Sequence, residues 1–193
     1  MRMLATLVQP TSGQIFYNGC DISKAPDNIR SEFAFLTSEL KLDPESTPNE
    51  MFDFFSALYH IDTETANDRK NKLFARFGIH EFANKKIAKL SQGMKQKTSL
   101  AISVLHDPKF IIFDEPTNGL DPNGIVEIRN LIKKLNKEKN ITILISSHIL
   151  DELSRVATHY GFISDGKIIK EMSAEEFEKD CKKSISIITD GKI

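Results

Sequence analysis

From Phe110 to Pro116 the chain reads Phe-Ile-Ile-Phe-Asp-Glu-Pro: four consecutive apolar side chains, two carboxylates, then a proline. Successive side chains of a strand point to opposite faces, so a strand that is apolar at every position must be covered on both sides. A second run of this kind, Ile141 to Ile145, follows a helical pattern at about 123–138. Strands of this type separated by helices predict a parallel sheet with helices on both faces. A helix over 91–105 leads through Asp107-Pro108 into the first run, and a helix around 149–157 leads to a strand from Tyr160 to Ser164. Asp165-Gly166 then predicts a tight hairpin into Lys167–Lys170. Ser173 and Glu176 form a capping box before a short helix, and Ser-Ile-Ser-Ile-Ile-Thr at 184–189 reads as a last strand.

The first half has a different texture. Met1, Leu4, Ala5 and Val8 recur at helical spacing up to Pro10, which predicts the tail of a helix over 1–8. Thr11 to Cys20 reads as a hairpin, with Pro-Thr-Ser-Gly as its turn and Gly-Gln-Ile-Phe-Tyr-Asn-Gly as a short strand. The run Phe-Ala-Phe-Leu within Ser31–Thr37 predicts a buried strand. Thr47-Pro48-Asn49-Glu50 is a capping box with proline at the first helical position. The helix it opens carries Phe52, Phe54 and Phe55, expected to pack as core. A second helix, roughly 63–78, sets Leu73, Phe74 and Phe77 on one side. Residues 39–90 therefore read as a helical insertion between two α/β segments.

Composition narrows the class. The 193 residues hold 26 Lys+Arg against 27 Asp+Glu, with 40% apolar and 27% charged residues. That is the balance of a soluble globular protein and not of a disordered one. A net charge of -1 gives no electrostatic case for a nucleic-acid partner. Cys20 and Cys181, far apart in the chain, do not suggest a disulfide scaffold and favour a reducing compartment. No run approaches the roughly 18 apolar residues needed to span a bilayer. The opening Met-Arg-Met-Leu-Ala-Thr-Leu-Val-Gln-Pro lacks the pattern of a secretory signal.

Four stretches carry chemistry. Asp114 and Glu115 lie at the C-terminal end of a buried strand, where ligands bind in open α/β sheets. Asp114 is placed to hold Mg²⁺, directly or through water, and Glu115 to polarise a water. In Leu-Ser-Gln-Gly-Met-Lys-Gln-Lys (90–97), Ser91 reads as an N-cap and Gly93 permits close backbone approach. Such a helix start can receive an anion or be simply a capped helix. The third stretch is Asn-Gly-Leu-Asp-Pro (118–122). The fourth is Ser147-His148, which the second apolar strand delivers to the same sheet edge as Asp114 and Glu115. From there His148 could donate to a phosphate oxygen. His60, His80, His106 and His159 read as solvated histidines.

In this order the stretches resemble the motifs of ABC ATPases. Residues 90–97 resemble the signature, with Gln92 where glycine is usual. Phe110–Pro116 resembles the Walker B strand with its catalytic glutamate. Residues 118–122 resemble the D-loop, 146–148 the switch histidine, and 10–22 the segment after the Walker A helix. The Met-Lys-Gln-Lys ending is similar to the branch of sodium-export and drug-resistance ATPases, and Phe-Leu-Thr-Ser-Glu-Leu-Lys-Leu at 35–42 is similar to the sodium-export branch. The resemblance implies a P-loop NTPase-like sheet, its first strands missing, with a start of the ATPase core at 1–38, a helical insertion at 39–90, the rest of the core at 91–170 and a C-terminal extension at 171–193. It implies an ATP-hydrolysing subunit that works with ATP and Mg²⁺, pairs with a second subunit as a homo- or heterodimer, and powers export, with sodium as the branch's cargo, through a separate membrane permease. The location implied is cytoplasmic, on the inner face of the membrane. Asp114 would serve Mg²⁺, Glu115 and His148 the reaction, Ser91, Gln92 and Gly93 the partner's nucleotide, and Asp121 the dimer interface.

Two departures qualify the resemblance. The Q-loop glutamine aligns with Ser38, which has shorter reach. No G-x-x-x-x-G-K-[ST] occurs in the 193 residues, so no Walker A motif is present. On this reading Met1 is an internal methionine of a longer protein, both ends look cut, and the chain by itself is inactive. Two rival readings stay open. One is a degenerate, non-catalytic subunit that lends its signature to an intact partner. The other is a piece of a soluble ABC protein acting on ribosomes.

Overall fold

The computed structural model describes residues 1–22, 29, 31–37 and 42–181. Ser38, half of the 35–42 stretch that carries the branch resemblance and the strand expected at 184–189 lie outside them. The chain divides into two compact units, Met1–His148 and Ile149–Ile193. The described residues form mixed α/β architecture with a parallel sheet and helices, as the sequence predicts.

In the first unit, β1 (Phe16–Tyr17) and β2 (Cys20–Asp21) pair antiparallel across Asn18-Gly19. Both turn residues have positive φ, 48° and 79°. That is the backbone a two-residue hairpin needs, and asparagine and glycine reach it most easily. The turn is therefore Asn18-Gly19, and Pro-Thr-Ser-Gly precedes the hairpin. Residues 1–8 differ from expectation too. Ala5 N–H donates to the Met1 carbonyl at 3.1 Å, but Thr6 sits at φ 58° and no regular helix follows. One isolated turn offers too few hydrogen bonds to offset the ordering of its backbone.

Strand β3 (Phe33–Leu36) opens the parallel sheet. Helices α1 (Pro48–Leu58) and α2 (Thr63–Phe77) follow, then short 3₁₀ turns at His80–Phe82 and Ile87–Lys89. The expected capping box starts α1. Glu50 N–H donates to Thr47 Oγ1 at 3.3 Å, and Thr47 N–H donates to Glu50 Oε2 at 2.7 Å. Asp62 caps α2, and Gly78 at φ 64° ends it. Phe52 and Phe74 meet edge-on, ring centres 4.8 Å apart, and bury with Phe77. Phe54 does not join them and is 60% exposed. Two residues along a helix is more than half a turn, so Phe52 and Phe54 cannot share a face.

Helix α3 (Gln92–Ser103), β4 (Phe110–Asp114), α4 (Pro122–Lys139) and β5 (Thr142–Ser146) complete the unit. The sheet order is β3-β4-β5, all parallel, with Phe33 level with Phe110, and Phe110 with Thr142. Ile111, Ile112 and Phe113 of the central strand are fully buried. Leu100 on α3 and Ile128 and Leu135 on α4 bury with them. Each such side chain contributes about 1.5–3 kcal/mol of transfer free energy. The register also decides where the polar ends emerge, because it sets Asp114 opposite Ser146.

The second unit contains α5 (Leu150–Ser154), then β6 (His159–Ser164) paired antiparallel with β7 (Lys167–Ser173). Its turn is Asp165-Gly166, φ 49° and 73°, as expected. Helix α6 (Ala174–Cys181) starts with the second predicted capping box: Ser173 N–H donates to Glu176 Oε2 at 2.8 Å, and Glu176 N–H to Ser173 Oγ at 3.2 Å. Phe177 of α6 packs on Tyr160 and Phe162. No helix among the described residues is long and apolar enough to cross a membrane.

Candidate functional site

The buried run of β4 ends where its carboxylates begin. Asp114 is the last strand residue and Glu115 the first beyond it, both half-buried. Glu115 adopts φ 51°, a left-handed backbone uncommon for a residue with a Cβ and costing roughly 1–2 kcal/mol. Its amide is held there from β5. Glu115 N–H donates to the Ser146 carbonyl and to Ser146 Oγ, each at 3.2 Å. The same Ser146 hydroxyl donates to Asp114 Oδ1 at 2.5 Å. One serine therefore touches both consecutive acidic residues.

Two residues past Ser146, His148 reaches back across the strand ends. Its Nδ1 lies 3.0 Å from both Oε1 and Oε2 of Glu115. The carboxylate can only accept, so Nδ1 carries the proton. The His148 side chain is 71% exposed and that of Glu115 26%. A pair this open to water is weak, so its members can separate when a ligand competes. The structure thus brings Asp114, Glu115 and His148 together at one sheet edge. Pro116, buried, follows directly, and Asn118 N–H donates back to the Glu115 carbonyl at 3.2 Å.

A second group surrounds the start of α3. Ser91 is its N-cap and accepts from Met94 N–H at 3.3 Å. Ser91 and Gln92 are exposed and Gly93 is half-buried. Gln92 lies beside the 118–122 loop: a Cβ at Gly119 would sit 3.9 Å from Gln92 Cγ. Asp121, given to an interface by the resemblance, is the N-cap of α4 and accepts from Gly124 N–H at 3.1 Å. A Cβ at Gly124 would stand 2.8 Å from Asp121 Oδ1, so a larger residue there would push the capping carboxylate aside. Ser38 lies outside the described residues. His106, read from sequence as solvated, is instead mostly buried. Its Nε2 donates to the Phe33 carbonyl at 3.0 Å, its ring stacks on Tyr59 at 4.3 Å, and burial holds its pKa below the usual imidazole value.

Sequence reasoning missed Ser146 and Gly124. Ser146 has a signal in hindsight: parallel strands of matched length bring the residue 32 positions after Asp114 level with it. The strand ends offer the carboxylate oxygens of Asp114 and Glu115 and the hydroxyl of Ser146, with the His148 imidazole held against Glu115. Among the described residues no cluster of three His, Cys, Asp or Glu forms a closed metal cage. Such a site suits a hard cation that arrives with phosphate oxygens and takes one or two carboxylates from the protein.

Comparison with known proteins agrees. The family model described as "ABC transporter" matches residues 1–118. The chain is 37% identical to the bacitracin transport ATP-binding protein BcrA of Bacillus licheniformis over 95% of its length, and spans 59% of that relative. It is 32% identical to the ABC transporter ATP-binding protein NatA of Bacillus subtilis over 100% of its length, and spans 79% of that one. Among solved structures, cbiO1 from Clostridium perfringens, part of the ABC transporter complex cbiONQ, shares the fold with a TM-score of 0.82 at 24% identity, over 94% of this chain and 74% of the other. The sheet with its acidic end, the capped α3 and these matches lead to one conclusion: the chain belongs to the ABC transporter family.

Proposed function

We infer that the chain is the ATP-hydrolysing subunit of an ABC exporter and works beneath a separate membrane permease. The observation that carries this reading is the convergence of Asp114, Glu115 and His148 on one end of the parallel sheet. Asp114 would hold Mg²⁺ together with nucleotide phosphates, and that ion would supply charge neutralisation as phosphate charge develops. Glu115 accepts a proton from the attacking water, which forms a bond to the γ-phosphorus as the bond to the leaving ADP oxygen breaks. His148 lets go of Glu115 and donates to a γ-phosphate oxygen, stabilising charge as it builds. The helical part, 39–90, meets the permease, and the location is the inner membrane face. The permease selects the cargo. The branch resemblance points to sodium.

The phosphate cradle of this family is a G-x-x-x-x-G-K-[ST] loop, and these 193 residues contain none. Without it the charge of the β- and γ-phosphates has no backbone N–H nest and no lysine to meet it. In an assembly, Ser91, Gln92 and Gly93 would complete the nucleotide site of a partner that carries that loop. The isolated chain is expected not to bind ATP at micromolar concentration. Mixed with a P-loop-bearing copy whose own signature serine has been replaced, it should restore Mg²⁺-dependent hydrolysis, and Ser91→Arg should remove that rescue. Micromolar ATP binding by the chain alone, or rescue that survives Ser91→Arg, would overturn this reading.

A further inference from the structure

The geometry points to a role for Ser146 that the motif reading does not assign: we propose that it is the positioning residue of the acidic pair. A serine hydroxyl has one proton and two lone pairs. Here the proton goes to Asp114 Oδ1 and a lone pair takes Glu115 N–H. The rotor is thereby fixed from two sides. Because donor and acceptor roles are both used, the hydroxyl commits Oδ1 of Asp114 within the protein and pins the amide of the next residue.

That amide belongs to the residue with the unusual backbone. With that backbone at φ 51°, the Glu115 carboxylate lies 3.0 Å from His148 Nδ1. The Ser146 carbonyl also receives Glu115 N–H, but a carbonyl is present whatever residue stands at 146. What distinguishes serine is the link from the same hydroxyl to Asp114. It makes the aim of Glu115 depend on Asp114, so that the cation side and the water side of the site move as one. Ser146 also lies two residues before His148 on the same strand end, so displacement of one shifts the other. Ser146 itself touches no reacting atom. It acts through Asp114 and Glu115.

The test compares Ser146→Val with Ser146→Thr. The two replacements have the same branched shape and suit a strand, and only threonine keeps the hydroxyl. In the 193-residue chain, amide hydrogen exchange of Glu115 should quicken about tenfold in the valine variant relative to threonine, the size expected when one hydrogen bond of a two-acceptor amide is lost. The amide of Ile112 should exchange alike in both, which separates a local effect from weakened folding. In a P-loop-bearing form the valine variant should lose about tenfold in kcat with the KM for ATP unchanged, and threonine should restore it. Equal exchange at Glu115 in both variants overturns the proposal. So does equal kcat. The kinetic comparison rests on the hydrolytic reading, whereas the exchange comparison does not. A P-loop-bearing wild type without ATPase activity sinks that reading and leaves the exchange result to decide on Ser146.

Discussion

At the N-terminal edge of the parallel sheet, Glu32 accepts from Lys109 Nζ at 3.0 Å and from Tyr17 O–H at 3.1 Å. Asp107 is paired with Lys139 at 2.8 Å, and His106 lies under Tyr59. At the C-terminal edge of the same strands, Asp114 and Glu115 stand side by side with no lysine or arginine paired to either among the described residues. Their partners are a serine hydroxyl and an exposed histidine. Hydrogen bonding and proximity to the Lys109 ammonium hold Glu32 below the usual carboxylate range, and the Lys139 ammonium does the same for Asp107. One edge spends its charges on itself. The other leaves acidic oxygens whose natural complement is a cation from outside, which is what a site for phosphate-borne Mg²⁺ requires.

The contrast can be broken by experiment. The largest effect is expected from Glu115→Gln in a P-loop-bearing form. Turnover should fall by about 10²–10⁴, the range for loss of a positioned general base, while ATP binding and thermal stability persist. Retained hydrolysis would remove Glu115 from that role and erase the difference between the two edges.

At the other edge, His106→Gln should act on stability and only as a function of pH. Burial lowers the folded-state pKa of His106, with the nearby Arg69 guanidinium adding to the shift and the Phe33 carbonyl and Asp107 opposing it. The unfolded chain takes up a proton as pH falls through its ordinary value near 6.5, and the folded chain does so only further down. Stability attributable to His106 is thus complete above about pH 6.5 and is lost progressively below it. Glutamine keeps an N–H for the Phe33 carbonyl and cannot titrate. Denaturation midpoints at pH 7.5 and 5.5 should therefore differ less in the variant than in the wild type. An equal difference would show that other groups set the acid limb.

The smallest effect should come from Lys109→Met. It removes an exposed partner of Glu32, and exposed ion pairs contribute little. The melting temperature should barely move and turnover should not change. A clear loss of activity would mean that the two edges are coupled through β4.

How much of this was legible depends on the range of the interaction. Both capping boxes, the Asp165-Gly166 turn and the buried β4 run are local patterns, and each stood in the sequence as it stands in the structure. The meeting of Asp114, Glu115 and His148 at one edge was legible because parallel strands deliver their C-terminal ends there. The clamp by Ser146 was not, since it depends on the register between chain segments 32 residues apart. Phe54 was misread because an aromatic cluster in sequence hides the angle between its members on a helix. His106 was misread because its cover, Tyr59, comes from another element. Residues 1–8 showed helical spacing, but spacing alone does not supply the hydrogen bonds of a second turn.

The contact between Tyr59 and His106 has an optical consequence. The chain has three tyrosines and no tryptophan. Tyr17 belongs to the hairpin edge, Tyr59 to the helical part and Tyr160 to the second unit. With no indole to swamp or drain their emission, each phenol reports on its own region. A charged imidazolium pressed against a phenol ring quenches it, and because burial keeps His106 neutral in mild acid, Tyr59 should dim only at a pH below the ordinary imidazole value. The protein carries a built-in lamp for the seam between its helices and its sheet.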